Sequence, residues 1–112
     1  MNEIIKIEDE IIGVIASNTG NLFLFDSCFY DEVQGHYWAE NNNGYISYTK
    51  NYSSVWGHHV PFEGVCLKGY DVDHVNGDKY NCTSNNLRVT SLLELTIQDE
   101  LKETVRRRLK AC

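Results

Sequence analysis

An aspartate and a histidine stand side by side in the segment from residue 70 to residue 91, YDVDHVNGDKYNCTSNNLRVTS. They are Asp73 and His74, and such a carboxylate and imidazole can bind a divalent cation and take a proton from water. The pattern around Val72, Asp73 and His74 predicts a short strand whose successive side chains point to opposite faces. The two groups therefore share one cleft only where the strand end bends.

The residues that follow predict the frame that holds this pair. The sequence Asn76-Gly77-Asp78 predicts a turn, and residues 87 to 90 predict a second short strand. Ser91 and Glu94 have the spacing of a capping box, which indicates the start of a helix. Strand, loop, strand and helix form a compact frame that can hold a metal ion and a general base against one phosphate.

The run DHVNGDKYNCTSNNLRVTS resembles the DH-x-NGD…N…NLR signature of HNH endonucleases of the phage and intron type, which have a ββα-metal fold without zinc knuckles. The likeness extends upstream through GNLFLFDSCFYDEVQGHYW, GYISY and the pair His58-His59, and it covers residues 20 to 98. The resemblance implies hydrolysis of DNA by water with one Mg²⁺ or Mn²⁺ ion. It also implies a phage protein that acts in the host cytoplasm.

The same resemblance implies a role for each matching residue. His74 is the general base, Asp73 is the metal ligand, and Asn86, the Asn of NLR, holds the histidine in place. The last ligand of the pattern, an Asn or His nine residues after Asn86, falls on Leu95, which has no donor atom. Because Mg²⁺ often uses one or two carboxylates plus substrate phosphate, the loss of this ligand predicts a weakened site.

Three further residues are possible members of the site. Gln98 lies one helical turn beyond Leu95 and reaches the metal only if the helix is shifted. His58 and His59 precede His74 by about fifteen residues, where the resembling family has a helix-borne histidine; a proline there restricts a helix.

Charge is distributed unevenly along the 112 residues, whose net charge is −6. Residues 1 to 67 hold nine acidic and two basic residues, giving −7, whereas residues 68 to 112 hold eight basic and seven acidic residues, giving +1. DNA-binding proteins usually have a basic surface, so the C-terminal half must face any bound DNA. The candidate phosphate contacts are Arg88, Arg106, Arg107, Arg108 and Lys110. Arg88 could instead bond a backbone carbonyl, and the other four also complement the end of a helix dipole.

The whole chain predicts a single α+β domain with a β-rich half over residues 1–69, a ββα-metal motif over residues 70–98 and a helix over residues 91–110. Strands are expected within residues 3–15 and over residues 22–25, 45–49 and 53–56, with a short helix from Asp26 or Ser27 to about His36. Apolar residues at every fourth position mark the last helix: Leu93, Ile97, Leu101, Val105 and Leu109.

The four cysteines form no C-x-x-C pair, so we expect no structural zinc and reduced thiols in a cytosol. The chain has neither a long apolar run nor a basic leader, so no membrane association is expected.

A second hypothesis from the same residues is a degenerate HNH scaffold that binds and inhibits a host defence protein with a basic surface. Leu95 and the acidic N-terminal half favour it. A donor from the last helix within metal reach of Asp73 would favour the nuclease instead.

Overall fold

The computed structural model describes residues 2–62, 71–90 and 95–111, and its first element is an antiparallel sheet in the order β1-β2-β3. Its strands are β1 (Ile4–Glu8), β2 (Ile11–Ile15) and β3 (Leu22–Asp26). The β-branched residues of the first two strands suit an extended backbone, as predicted. Phe23 and Phe25 alternate along β3 and are fully buried, so one face of this sheet covers the core.

A second antiparallel sheet consists of β4 (Ala39–Glu40), β5 (Ile46–Lys50) and β6 (Ser53–Trp56). β5 and β6 are joined by Asn51 and Tyr52, which both have positive φ, 52° and 66°. That pair of φ values is typical of the tight turns that join twisted antiparallel strands.

The helix expected from Asp26 or Ser27 to His36 is shorter in the structure. A 3-10 turn over Ser27–Phe29 leads into α1 (Tyr30–Val33). The backbone of Gln34 is already extended, with ψ of 155°, and Gly35 has a φ of +83°. The helix therefore ends before Gln34, and the positive φ of Gly35, which glycine adopts without steric cost, turns the chain further away from a helical path.

The main core lies between the first two sheets and is centred on Trp38, which is fully buried with Val33 beside it. The Trp38 indole donates a hydrogen bond to the Val33 carbonyl at 2.8 Å, so the polar atom of this large side chain is satisfied inside the core. Its backbone N–H and carbonyl bond to the side chain of Asn2 at 2.7 Å each.

The C-terminal part contains a two-stranded hairpin, β7 (Asp71–His74) with β8 (Leu87–Thr90), followed by α2 (Leu95–Lys110). A small second core forms where Val105 of α2 packs with Phe62, Val72 and Leu87. Leu109 packs against both cores. The predicted helix start at Ser91 lies outside the described residues. None of the helices described is long and apolar enough to cross a membrane.

The loop between β7 and β8 attaches to β3. The Leu24 N–H donates to the Tyr80 carbonyl and the Cys82 N–H donates to the Leu24 carbonyl, both at 2.8 Å. Two residues later in the loop, the Ser84 N–H donates to the carboxylate of Asp26 at 2.9 Å. The hairpin is therefore joined to the first sheet by backbone pairing.

Arg108 joins α2 to the N-terminal half. Its guanidinium donates to the carbonyls of Val60 and Pro61 at 2.8 and 2.6 Å and pairs with the Glu32 carboxylate. The same group lies over the Phe29 ring, 4.7 Å from its centroid. Arg108 is a predicted DNA contact. In the structure its guanidinium instead binds groups of the N-terminal half and holds α2 against them.

We predict that Arg108→Ala lowers the free energy of unfolding by about 2 kcal/mol, because it removes the partner of buried carbonyls and of a half-buried carboxylate. Urea denaturation measures this change. Arg107→Ala is the matched control: its side chain is 76% exposed, so its effect should stay within about 0.5 kcal/mol. Equal effects of the two substitutions would show that Arg108 does not hold the helix.

Candidate functional site

The strand β7 separates the two residues of the Asp-His pair. Val72 and His74 are buried, whereas Asp71 and Asp73 are exposed. Across the hairpin Asp73 faces Arg88 and His74 faces Leu87, which is the alternation expected of a regular strand. The structure therefore places Asp73 and His74 on opposite faces of β7 and does not bring them into one cleft.

His74 is only 5% exposed. Its Nε2 lies 3.7 Å from the Cys82 sulfur, and its ring centroid lies 6.0 Å from that of Tyr45 and 5.2 Å from that of His58. Burial lowers the pKa of His74, an effect that the Asp73 carboxylate partly opposes. A lowered pKa keeps this imidazole uncharged at neutral pH, the state in which it can accept a proton.

His58 is the residue that sequence reasoning kept only as a possibility and that the structure brings beside His74. It belongs to a 3-10 segment over Gly57–Phe62. Burial, together with the neighbouring His59 and His74, lowers the pKa of His58 to about 3. His59 lies edge-on to His58 with ring centroids 4.6 Å apart. The three histidines therefore form one cluster. His58 and His59 reach it on a 3-10 segment, whereas the resembling family carries its histidine on a helix.

Gly57 explains how the chain reaches this position. A Cβ at residue 57 would lie 2.5 Å from the Ile46 side chain and 3.0 Å from the Phe25 ring. Only glycine lets the backbone pass so close to the core. The close approach fixes where the following histidines enter the structure.

Cys82 contacts His74, and sequence reasoning missed this contact because no motif relates two residues at this spacing. Burial raises the pKa of the Cys82 thiol. The thiolate is the nucleophilic form of cysteine, so a raised pKa makes this thiol a poor nucleophile. The Cys82-His74 contact is consequently a packing contact and not an activated pair.

Asn86 is buried and holds the loop that follows His74. Its side-chain oxygen accepts from the Asn76 N–H at 3.3 Å, and its amide nitrogen donates to the Asn81 carbonyl at 3.0 Å. Its backbone carbonyl accepts from the Val75 N–H at 2.7 Å. Both ends of the Asn86 amide thus bind loop backbone, so this side chain shapes the loop that leaves β7.

Asp73 pairs with Arg88 at 3.1 Å, and about half of each side chain is exposed. Exposed pairs of this kind contribute about 0–1 kcal/mol. Arg88 bonds a carboxylate and not the backbone carbonyl that the sequence left open. The carboxylate predicted to bind metal is therefore neutralised by a partner that it can exchange at little cost.

The side chains available around Asp73 do not enclose the metal ion that the resemblance implies. Among residues 2–62, 71–90 and 95–111, no group of three or more His, Cys, Asp or Glu side chains could hold a metal ion. α2 begins at Leu95, the position of the missing ligand, and the side chain of Gln98 lies outside the described residues. One exposed carboxylate fits a loosely held Mg²⁺ or Mn²⁺ ion that also uses phosphate and water, but it does not form a cage.

The remaining basic residues lie near the end of α2. Arg106 and Arg107 both pair with Glu103, at 3.3 and 3.8 Å, and Lys110 is exposed. Because Arg108 binds the N-terminal half of the protein, three of the four predicted phosphate contacts on α2 remain. They retain a role at the end of the helix dipole.

Comparisons of this chain with protein-family models, with curated proteins and with solved structures find no match.

We predict that acid destabilises the protein through the buried histidines. The pKa of His58 falls from 6.5 to about 3 on folding, so between these pH values the unfolded chain binds a proton that the folded chain does not. The contribution of His58 to the free energy of unfolding is therefore highest above pH 6.5. It falls as the pH falls through this window, by at most about 1.4 kcal/mol per pH unit for one histidine.

Urea denaturation between pH 7.5 and 4 measures this dependence. His58→Gln should flatten it, because glutamine takes up no proton. A His58→Gln profile parallel to that of the unmodified chain would contradict the assignment.

Proposed function

We propose that this chain is an HNH-like endonuclease that hydrolyses DNA with His74 as general base. The observation that carries the proposal is the position of His74 at the end of β7, next in the chain to the exposed carboxylate of Asp73. Asn86 holds the loop that leaves this strand. A neutral imidazole of this kind can take a proton from an attacking water, which typically contributes 10²–10⁴-fold to the rate.

Asp73 and Arg88 would act on the phosphate. Asp73 would hold a Mg²⁺ or Mn²⁺ ion, which supplies positive charge to the scissile phosphate and the leaving oxygen. Arg88 can leave Asp73 for a phosphate oxygen, because their exposed pair is weak and the guanidinium suits phosphate. Substrate binding would then free the Asp73 carboxylate. β7 ends at His74. The scissile phosphate would lie beside this end of the strand, where Asp73 would approach it from one face and His74 from the other.

A binding protein on the same scaffold is the second candidate, and the separation of Asp73 from His74 favours it. Val105, in the described part of α2, packs on the face of the hairpin that carries Val72 and Leu87, which is the face opposite Asp73. A side chain at the position of Val105 therefore cannot reach a metal ion held by Asp73. A host protein with a basic surface would suit residues 1 to 67, which carry a net charge of −7 (two basic and nine acidic residues).

We predict that the purified protein nicks supercoiled plasmid in Mn²⁺ or Mg²⁺ and that His74→Ala lowers the rate by about 10²–10⁴-fold. Asp73→Asn should also lower it, because the amide binds the cation less strongly than the carboxylate. Asp71→Asn is the matched control, since Asp71 is a second exposed carboxylate on the same strand, and its rate should be unchanged.

Leu95→Asn separates the two candidates. It restores a donor at the vacant ligand position and should raise the nicking rate or tighten Mn²⁺ binding measured by calorimetry. If the unmodified protein is inert, and Leu95→Asn is also inert and binds no Mn²⁺, the nuclease is wrong and the binding protein is the better description.

We also predict that DNA binding depends on salt through Arg106, Arg107 and Lys110. Each alanine substitution should reduce the slope of log K against log salt by about 0.9 if that residue neutralises one phosphate. Fluorescence anisotropy with a labelled duplex at several salt concentrations measures the slope. Lys6→Ala, a basic residue of β1 paired with Asp9, should leave it unchanged. If none of the three substitutions alters the slope, these side chains do not contact DNA phosphates and interact only with the C-terminal end of the α2 dipole.

A further inference from the structure

A groove of about 460 Å³ lies between β8 and α2. Five of the ten side chains that line it are apolar, and the charged ones belong to one edge of α2 and to β8.

The floor of the groove is the second core. Phe62, Leu87 and Val105 are each less than 10% exposed, so they form a fixed apolar surface. Val89 of β8 and Leu109 of α2 are partly buried and pack against this core. A ligand in the groove would therefore lie on a packed apolar surface that folding has already formed.

The rim of the groove is positively charged. Lys102 and Arg106 are four residues apart on α2 and lie on the same face of the helix, and both are exposed. Arg106 shares Glu103 with Arg107 in exposed ion pairs, which bind weakly enough to exchange for another anion. Cationic groups thus stand along one edge of an apolar cavity.

We propose that this groove binds a small amphiphilic anion, with an apolar body of one or two rings or a short acyl chain and a single carboxylate, sulfonate or phosphate. The apolar body would rest on Phe62, Leu87 and Val105, and the anionic group would reach Lys102 and Arg106. A volume of about 460 Å³ lies in the range of small-molecule sites, which combine an apolar lining with a few polar groups. The proposal does not rest on the nuclease activity, and the dyes that test it report binding in the absence of DNA, to which Arg88 and Arg106 are also assigned.

Two fluorescent dyes with the same aromatic body test the proposal. 1-Anilinonaphthalene-8-sulfonate carries one anionic group, and N-phenyl-1-naphthylamine is its neutral counterpart. The folded protein should bind one equivalent of the sulfonate and should bind it more tightly than the neutral dye. Lys102→Glu should weaken the sulfonate by roughly tenfold, because it replaces one attraction with one repulsion, and should leave the neutral dye unchanged.

Two further variants complete the test. Lys110→Glu makes the same charge change on the same helix at a residue that does not line the groove, and its affinity for the sulfonate should match that of the unmodified protein. Val89→Phe adds volume at the wall of the groove and should weaken both dyes. Urea midpoints of all variants establish that they are folded.

Three results would overturn the proposal. The first is uptake of several equivalents of dye without saturation, which would indicate scattered exposed apolar residues. The second is an equal loss of affinity in Lys102→Glu and Lys110→Glu, which would indicate net charge alone. The third is unchanged binding of both dyes by folded Val89→Phe.

Discussion

The pairing of the loop after β7 with the edge of β3 is the constraint on which the rest of the structure depends. Leu24 forms a parallel bridge with Asn81, and its N–H and carbonyl bond to the two residues that flank Asn81. Asp26 then accepts the Ser84 N–H, and burial raises the pKa of this carboxyl. These bonds bring Cys82 into the main core and set the hairpin against it. The position of His74 relative to His58 follows from this attachment.

One short strand creates two different electrostatic environments at adjacent residues. The face of β7 that turns toward the core holds His74 among other rings, where desolvation disfavours its charged form. The opposite face leaves the Asp73 carboxylate in water beside a guanidinium. A site that uses both residues must therefore hold its substrate at the end of β7, between the two faces. A protein that only binds a partner could use the exposed face alone, and this difference separates the two proposed functions.

Local patterns in the sequence predicted the α+β class and the strands, because these follow from neighbouring residues. The shared cleft expected for Asp73 and His74 was wrong, because β7 is regular up to His74 and keeps the two side chains on opposite faces. The helix after β3 was predicted too long, because the backbone is already extended at Gln34, one residue before Gly35. Contacts between distant residues escaped prediction. Arg108 meets carbonyls 47 and 48 residues away, and no periodicity or motif indicates such a contact. The same holds for Cys82 beside His74, which depends on how the loop lies on β3.

The attachment of the loop to β3 also has a consequence for the order of folding. Leu24 and Cys82 are separated by 57 intervening residues, and closing a chain segment of this length costs entropy before any of its contacts form. Pairings between such distant residues raise the contact order and slow folding. We expect the first sheet and the hairpin to form early and their union to be the late step. The Cys82 amide is bonded only after the hairpin joins the first sheet. It should then exchange with solvent no more slowly than the amides that pair β2 with β3.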